Sequence, residues 1–287
     1  MLLYWTHLIG SFLLRFVPHR VAYAVASLIG PIVGYCWPGH YRQARQNMAR
    51  ILGPTADRRE VARRVRNVFR NYGKYVVDVL WLPRARFGDL DRNLEIVGLD
   101  HIDEAMRRGR GLVLVMGHIG NWDWGGAVLA GKGYPVNALV ETLTPARWND
   151  RVQAIRERLG VNVIPIEHGV RETFQALRDN QIVGVLIDRP LNSDGVPVRF
   201  FDALTRVPEG AARLALRTGA GVVAVGVVRH GRRLVAHVSP LIDVQPSGDR
   251  ARDVQELTQR AMDWLEGVIR RYPDQWFMFR NMWPRAA

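Results

Sequence analysis

Gly111-Leu-Val-Leu-Val-Met-Gly-His-Ile-Gly-Asn-Trp-Asp-Trp-Gly-Gly126 is the most informative stretch of this chain. Its first six residues form the continuous apolar run of a buried strand, and the ten that follow supply the glycines of a turn and the start of a helix. A strand that leads directly into a turn and a helix is the repeating unit of a parallel α/β sheet. Ligands bind such sheets beyond the carboxyl ends of the strands, which is where His118 falls.

Short β-rich runs recur on both sides of this stretch and alternate with helical segments. The predicted strands cover residues 94–97, 111–116, 136–140, 161–164, 182–187, 222–228 and 234–238. Helical patterns between them cover residues 145–159, 170–179 and 209–217. The alternation predicts an α/β fold with a mostly parallel central sheet flanked by helices.

The first 90 residues differ from the rest because they contain helical patterns alone. Residues 57–81 predict one long amphipathic helix, in which valines and a tyrosine repeat every three or four positions and basic residues repeat about 200° away. Such a basic face suits an anionic membrane, where each basic residue near the surface contributes about 1 kcal/mol. We therefore predict a helical, membrane-associating region at residues 1–90 and an α/β core at residues 91–287.

Two apolar runs, at residues 2–17 and 21–37, precede that helix. Both are shorter than the ~20 apolar residues of a membrane-spanning helix, and His7, Arg15 and Pro31 interrupt them. A signal peptide is disfavoured, since no basic segment precedes the first run. We expect an interfacial or re-entrant anchor; a single span and a helical pair buried against the body are the alternatives.

Composition limits the chemistry and the partners. Among 287 residues Cys36 is the only cysteine, which excludes an intrachain disulfide, a Cys-rich zinc site and an iron–sulfur cluster. The formal charge of +13 comes almost entirely from arginine, because Lys74 and Lys132 are the only lysines. The charge calls for an anionic partner, and by composition alone lipid headgroups, a phosphorylated carrier and nucleic acid all remain open.

His118 and Asp123 are candidates for acid–base chemistry. Residues five apart on a helix are offset by ~140°, so the two side chains meet only if His118 lies in the turn and Asp123 in the first helical turn. An aspartate bonded to one imidazole nitrogen fixes the tautomer and leaves the other nitrogen free as a base. Spacing alone fits a structural pair as well as a catalytic one.

Gly117-His118-x4-Asp123 resembles the His-x4-Asp/Glu motif of the lysophospholipid acyltransferase superfamily. The surrounding GHIGNWDWGG is similar to the branch of the lipid A biosynthesis late acyltransferases and the phosphatidylinositol mannoside acyltransferases. Further segments extend the likeness in order: RQARQNMAR at 42–50, RWNDRVQAIRERLGVNVI at 147–164, DRP at 188–190, GVPVRFF at 195–201 and YPDQWFMF at 272–279.

The resemblance implies an O-acyltransferase that moves a fatty acyl chain from acyl-CoA or acyl carrier protein to a hydroxyl of an anionic glycolipid. It implies that His118 is the general base and that Asp123 orients it. The expected substrate-binding residues are Asn121, Arg156, Asp188 and Arg189. We expect no resident cofactor or metal, membrane lipids as partners, and a peripheral or monotopic location on the cytoplasmic face of the bacterial inner membrane.

Two departures from the family pattern concern the acceptor. Arg199 stands where an acidic residue often precedes the Phe-Phe pair, and the end continues as RNMW at 280–283, where many relatives place His or Arg before the last Trp. A lipid A precursor and a phosphatidylinositol mannoside both stay open, with GHIGNWDW favouring the mannoside. A lysophosphatidate-type glycerophospholipid acyltransferase is the alternative, although VPEG at 207–210 is predicted to start a helix.

Two hypotheses from other classes are disfavoured. The positive charge fits a nucleic-acid-binding protein, but no helix-turn-helix, zinc or RNA-recognition signature is present, so nucleic acid is not expected as a partner. A metal hydrolase built on His118, Asp123, His168 and Asp188 lacks two histidines at the spacing of a helical metal pair near the motif.

Overall fold

The structure is a computed structural model, and it describes residues 2–189, 195–231 and 233–283. Within these ranges the strands are β1 (Leu94–Val97), β2 (Leu112–Gly120), β3 (Val136–Val140), β4 (Val161–Pro165), β5 (Ile182–Leu186), β6 (Val196–Phe200), β7 (Ala203–Val207), β8 (Gly221–His230) and β9 (Arg233–Val238). The helices are α1 (Leu2–Leu13), α2 (His19–Cys36), α3 (Pro38–Leu52), α4 (Arg58–Trp81), α5 (Phe87–Asp91), α6 (Leu99–Arg107), α7 (Trp122–Gly131), α8 (Ala146–Arg158), α9 (Val170–Arg178), α10 (Gly210–Thr218) and α11 (Arg250–Arg271).

Seven strands form the central sheet in the order β1-β9-β8-β2-β5-β3-β4. The five strands from β8 to β4 are parallel, whereas β9 pairs antiparallel with β8 and β1 pairs parallel with β9. Helices cover both faces, so the first four residues of β2, Leu112 to Val115, are all buried. The predicted α/β class with a mostly parallel sheet flanked by helices is confirmed.

A separate two-stranded hairpin, formed by β6 and β7, was not predicted from the sequence. The residues that turn the chain between its strands are Phe201 and Asp202, whose φ angles are 50° and 58°. Left-handed backbone is usually signalled by glycine, and here two other residues adopt it. The usual turn signal is therefore missing from this segment.

The long basic helix forms as predicted, with Asp57 capping it by accepting a hydrogen bond from the Arg59 amide at 3.2 Å. Helix α2 crosses it closely, because Gly30 of α2 and Gly73 of α4 have no side chains to hold the two helices apart. No side chain would fit at either position. A Cβ at Gly30 would lie 2.3 Å from the Phe69 carbonyl oxygen, and one at Gly73 would lie 2.8 Å from that of Ala26. Backbone therefore packs on backbone where the helices cross.

The opposite side of α1 and α2 is apolar and exposed. Of 18 large exposed hydrophobic side chains in the described ranges, 13 lie between Trp5 and Trp37. Among the described residues no single helix is long and apolar enough to cross a membrane; α2 and α3, bent by 102°, pass that test together by length and composition. Membrane association of this region stays a prediction.

The helical region and the end of the chain are joined by Asn47 of α3. Its amide donates to the carbonyl oxygens of Met278 and Arg280, at 3.0 and 2.8 Å. The segment after α11 thereby lies between the first helices and the sheet. The predicted division at residue 90 stays a prediction, and these contacts show that the two parts pack together.

Candidate active site

His118 lies on a bulge at the carboxyl end of β2. Met116 pairs with Val225 and Gly120 with Val227, so four steps along β2 match two steps along β8. Gly120 has a φ of +63°, and a Cβ there would lie 1.7 Å from the Val227 carbonyl oxygen, so no other residue fits. Bulges of this kind re-aim side chains next to functional sites. His118 was expected in a turn after the strand; it lies in the strand's bulged end.

The chain's C-terminal segment completes the bulge. The Phe277 amide donates to the His118 carbonyl oxygen at 2.8 Å, and Ile119 forms an antiparallel bridge with Trp276. The predicted closing segment, YPDQWFMF, is therefore part of the wall that holds His118. Its position could not be inferred from the sequence, because the contact joins residues more than 150 positions apart.

Asp188 holds the His118 side chain. Its Oδ1 lies 2.5 Å from Nδ1 of His118, and its Oδ2 accepts from the His118 amide and from Nε1 of Trp276, each at 2.7 Å. Burial by itself would raise the pKa of this carboxyl, but attraction to the protonated form of His118 and these hydrogen bonds hold the pKa below its usual value. An ionised carboxylate only accepts, so Nδ1 carries a proton in either state of the ring, and in the neutral imidazole Nε2 is left with its lone pair.

Asp123 does not bond to His118, which corrects the expected pairing. It lies in the first turn of α7 as predicted, but its Oδ1 accepts from Nε of Arg156 at 2.8 Å and its Oδ2 from the Tyr75 hydroxyl at 3.1 Å. Asp188, which was expected to touch substrate, is fully buried and contacts His118 in its place. The catalytic and binding roles assigned to these residues stay predictions.

Asn121 was expected to bind substrate, but in the structure its side chain hydrogen-bonds to other residues of the protein. Its Oδ1 caps α7 by accepting from the Trp124 amide at 3.0 Å, and its Nδ2 donates to Oδ2 of Asp78 at 2.9 Å. The side chain is buried and meets protein on both sides. Asp78 in turn accepts from Nη2 of Arg229 at 2.5 Å and from the Tyr23 hydroxyl. Burial raises the pKa of Asp78 despite the nearby Arg229 charge.

Arg189 lies beside the imidazole, with its Nε 3.4 Å from Nδ1 of His118. Nδ1 already donates its proton to Asp188 and has no lone pair to accept another hydrogen bond, so Arg189 lies close to the ring without donating to it. Burial lowers the pKa of Arg189, with Asp188 opposing the shift. Pro190, the next residue of the quoted segment, lies outside the described residues.

An apolar cavity begins next to this site. It lies between the sheet and helices α7 and α8, and the space between the lining atoms, counted together with the solvent at its mouth, is about 1150 Å³. Asp123 and Arg156 line it together with Trp122, whose ring meets the His118 ring edge-on at 5.2 Å between centroids. From there the lining is apolar except for Asn137 and reaches Ala236 and Val238 of β9.

Comparison with known proteins names the family. The profile of the bacterial lipid A biosynthesis acyltransferases matches residues 1–285. The chain belongs to this family. The phosphatidylinositol mannoside acyltransferase of Mycolicibacterium smegmatis is 34% identical over 250 residues, which cover 85% of this chain and 80% of that protein. Its counterpart from Mycobacterium tuberculosis H37Rv is 35% identical over 255 residues, covering 85% and 78%.

A lipid A biosynthesis acyltransferase of Haemophilus influenzae is more distant, at 20% identity over 282 residues, covering 95% of this chain and 86% of that protein. The predicted branch of the superfamily is confirmed, and the protein is an acyltransferase. The segments that carried the resemblance all fall within the matched range.

The acyltransferase also contains site residues that sequence reasoning missed. Trp276 was quoted only as part of a motif, and Tyr75 and Asp78 only as part of a helix, yet all three hydrogen-bond to residues of the site. Polar residues on the otherwise apolar face of α4 were the available signal. In the described ranges no three His, Cys, Asp or Glu side chains lie close enough to hold a metal ion.

Proposed function

We propose that this acyltransferase moves a fatty acyl chain from an acyl thioester, acyl-CoA or acyl carrier protein, to a hydroxyl of an anionic glycolipid. The His118–Asp188 pair beside the apolar cavity is the observation that carries the proposal. A base with a free Nε2 suits a hydroxyl acceptor, and an aliphatic cavity suits an acyl chain. The role of orienting His118 passes from Asp123 to Asp188.

The reaction needs one proton carrier. Nε2 of His118 accepts the proton of the acceptor hydroxyl while the hydroxyl oxygen attacks the thioester carbonyl carbon. The new C–O bond forms, the C–S bond breaks, and the imidazolium returns its proton to the leaving thiolate. Asp188 stabilises the imidazolium, and Asp123 holds Arg156 at the polar end of the cavity.

The cavity is proposed to hold the donor's acyl chain. Each methylene moved from water into an apolar site contributes about 0.8 kcal/mol, so an aliphatic lining gives both affinity and chain-length selection. Trp122 lines the cavity, and its ring contacts the His118 ring. The end of the cavity that Asp123 and Arg156 line is therefore next to the proposed base. A thioester at that end brings its carbonyl group to His118.

The proposed acceptor is a phosphatidylinositol mannoside, because the two relatives at 34% and 35% identity carry that name. A lipid A precursor is the second candidate, favoured by the family description and by the Haemophilus influenzae relative. Arg156 and Arg189 are the proposed phosphate contacts of the substrates, since guanidinium groups pair with phosphate through two hydrogen bonds.

We place the enzyme on the cytoplasmic face of the bacterial inner membrane. The exposed apolar side chains of α1 and α2 support this placement, because 13 of the 18 large exposed hydrophobic side chains in the described ranges are concentrated there, and such concentrations mark interaction sites. Arginines next to that patch suit anionic lipids. A water-soluble donor then meets a lipid acceptor at the interface.

The test is product identification by mass spectrometry. Purified enzyme receives both glycolipid acceptors and a lysophosphatidate, each with acyl-CoA and with acyl carrier protein. We expect an acylated mannoside, and a loss of turnover of about 10²–10⁴-fold in His118→Ala with unchanged thermal unfolding. Undiminished turnover by His118→Ala would refute the assigned base, and acylation of lysophosphatidate alone would replace the acceptor.

A further inference from the structure

Helix α8 has a second basic face that the proposed reaction does not use. Arg147, Arg151 and Arg158 lie within about 40° of one another around its axis, because steps of four and eleven residues nearly complete whole turns. Arg156, which binds Asp123, lies about 140–180° away from these three. The three arginines therefore point away from the catalytic cavity.

These arginines line an open groove between α8 and the first turn of α1. Tyr4, Pro83 and Asp150 line it as well, and the groove encloses about 990 Å³ of space open to solvent. Ile155 of α8 borders both this groove and the acyl cavity, so the two lie on either side of this helix.

The positive charge of the groove is not neutralised within the protein. Arg151 donates through Nε to Nδ1 of His7 at 2.9 Å, and Arg158 donates to the carbonyl oxygens of Leu82 and Ala85. All three acceptors are uncharged, because burial and the charge of Arg151 lower the pKa of His7 to about 4. Against three guanidinium groups the groove lining contains one carboxylate, that of Asp150.

The groove borders the exposed apolar face of α1. Trp5, Ile9 and Leu13 are each about half exposed and lie about 100–180° around the helix from Tyr4, which faces the groove. An amphipathic helix lying in a membrane interface buries its apolar face by about 5–10 Å, which leaves its flank among the headgroups. The groove then opens at the level of the lipid phosphates.

We propose that this groove binds the phosphate of an anionic phospholipid in the surrounding membrane, separately from acceptor and donor. The inference rests on the membrane placement in the proposed function. Guanidinium groups pair with phosphate through two hydrogen bonds, and Arg147 and Arg151 are one turn apart on the same face. The neighbouring apolar face of α1 favours a membrane lipid over a soluble anion, and the bound lipid fixes how α8 sits above the bilayer.

The test compares Arg147→Gln/Arg151→Gln with Arg171→Gln/Arg178→Gln, which removes the same charge from exposed positions on α9. Binding is measured by cosedimentation with phosphatidylcholine vesicles containing phosphatidylglycerol, and with phosphatidylcholine alone. We expect the groove variant to bind the anionic vesicles about tenfold more weakly, with the α9 variant close to wild type. Neutral vesicles should bind all three proteins alike.

Three results would overturn the proposal. Equal loss in both variants means that the attraction is diffuse charge. If millimolar inorganic phosphate displaces the wild-type protein from the anionic vesicles as strongly as added phosphatidylglycerol does, the groove is a site for free anions. Weaker binding of coenzyme A to the groove variant, with vesicle binding intact, means a donor site. Acyl transfer in detergent is measured in parallel and should be unchanged in the groove variant, so failure of this site and failure of the proposed reaction are distinguishable.

Discussion

At the scale of single residues, Asp188 is a fully buried carboxylate that keeps its charge. Three hydrogen bonds from His118 and Trp276 reach its two oxygens, and together with the charge of His118 they outweigh the effect of burial on its pKa. A carboxylate in this state selects the imidazole tautomer and stabilises the imidazolium that forms when His118 takes a proton.

Asp188→Asn should reduce kcat by about 10⁴-fold while KM changes little. The amide can turn its NH₂ group toward Nδ1, which places the imidazole proton on Nε2 and removes the base. Steady-state kinetics with saturating donor measures the effect. A kcat within threefold of wild type would show that His118 does not depend on Asp188.

Asp123→Asn should act mainly on KM. Its partners are Arg156 and Tyr75, so the change leaves the His118–Asp188 bond in place and releases Arg156 at the polar end of the cavity. We expect KM for the donor to rise about tenfold, which corresponds to the ~1.4 kcal/mol of one charge-assisted hydrogen bond. A kcat loss as large as in Asp188→Asn, with KM unchanged, would return the orienting role to Asp123.

His7 makes the stability of the N-terminal region depend on pH. Burial, with a smaller effect of the Arg151 charge, lowers its pKa from 6.5 to about 4. Below pH 6.5 the unfolded chain binds a proton at this position and the folded chain does not, so the free energy of unfolding falls as the pH drops to about 4.

The measurement is urea unfolding between pH 7 and pH 4, with His7→Gln as the comparison. The glutamine carbonyl can still accept from Arg151 but does not titrate, so this variant should lose less stability over that range. Identical pH profiles would contradict the prediction, as would an NMR titration of folded His7 near pH 6.5.

At the scale of elements, regular patterns were predictable and long-range contacts were not. The strand at 112–115 follows from a continuous apolar run and the basic helix at 58–81 from apolar periodicity, and both signals are local. The extension of β2 to Gly120 depends on its pairing with Val227 and Trp276. The His118–Asp188 bond, which joins residues 70 apart, could not be distinguished by spacing from a bond to Asp123.

The close contact between α2 and α4 predicts that a glycine-to-alanine replacement in α4 destabilises the protein, the opposite of the usual effect inside a helix. Replacing a glycine inside a helix by alanine ordinarily stabilises a protein by about 0.5–1 kcal/mol. In Gly73→Ala the new Cβ would lie 2.8 Å from the Ala26 carbonyl oxygen, so α2 must move away from α4. We expect a lower melting temperature and faster hydrogen exchange in α2.

Gly267 of α11 is the matched control. It also lies inside a helix, but nothing is within 4 Å of the position of its Cβ. Gly267→Ala should therefore raise the melting temperature by the ordinary helix-propensity effect. Two shifts in the same direction would show that α2 and α4 do not pack as closely as described.

At the scale of the whole molecule, one cavity connects both edges of the sheet. Its polar end, with Asp123 and Arg156, lies by α7 and α8, and α8 connects the strands β3 and β4 at one edge. Its aliphatic lining continues to Leu94 of β1 and Ala236 of β9 at the other edge. His118 ends β2, the central strand of the seven, so the base and the far end of the cavity at β9 and β1 are separated by two to three strands, about half the width of the sheet.

The far end of the cavity should set the length of the acyl chain. Ala236→Leu adds three carbons there and should shift the preferred donor to a chain shorter by about two to four methylenes, each worth about 0.8 kcal/mol of binding. Leu94→Ala removes three carbons at the same end and should shift the preference toward longer chains, at about 2–5 kcal/mol of stability. Relative kcat/KM values for acyl-CoA donors of graded length measure both effects. Opposite shifts in the two variants are expected because they change the same space in opposite directions. Unchanged chain preference in both, with folding intact, would mean that the acyl chain lies elsewhere.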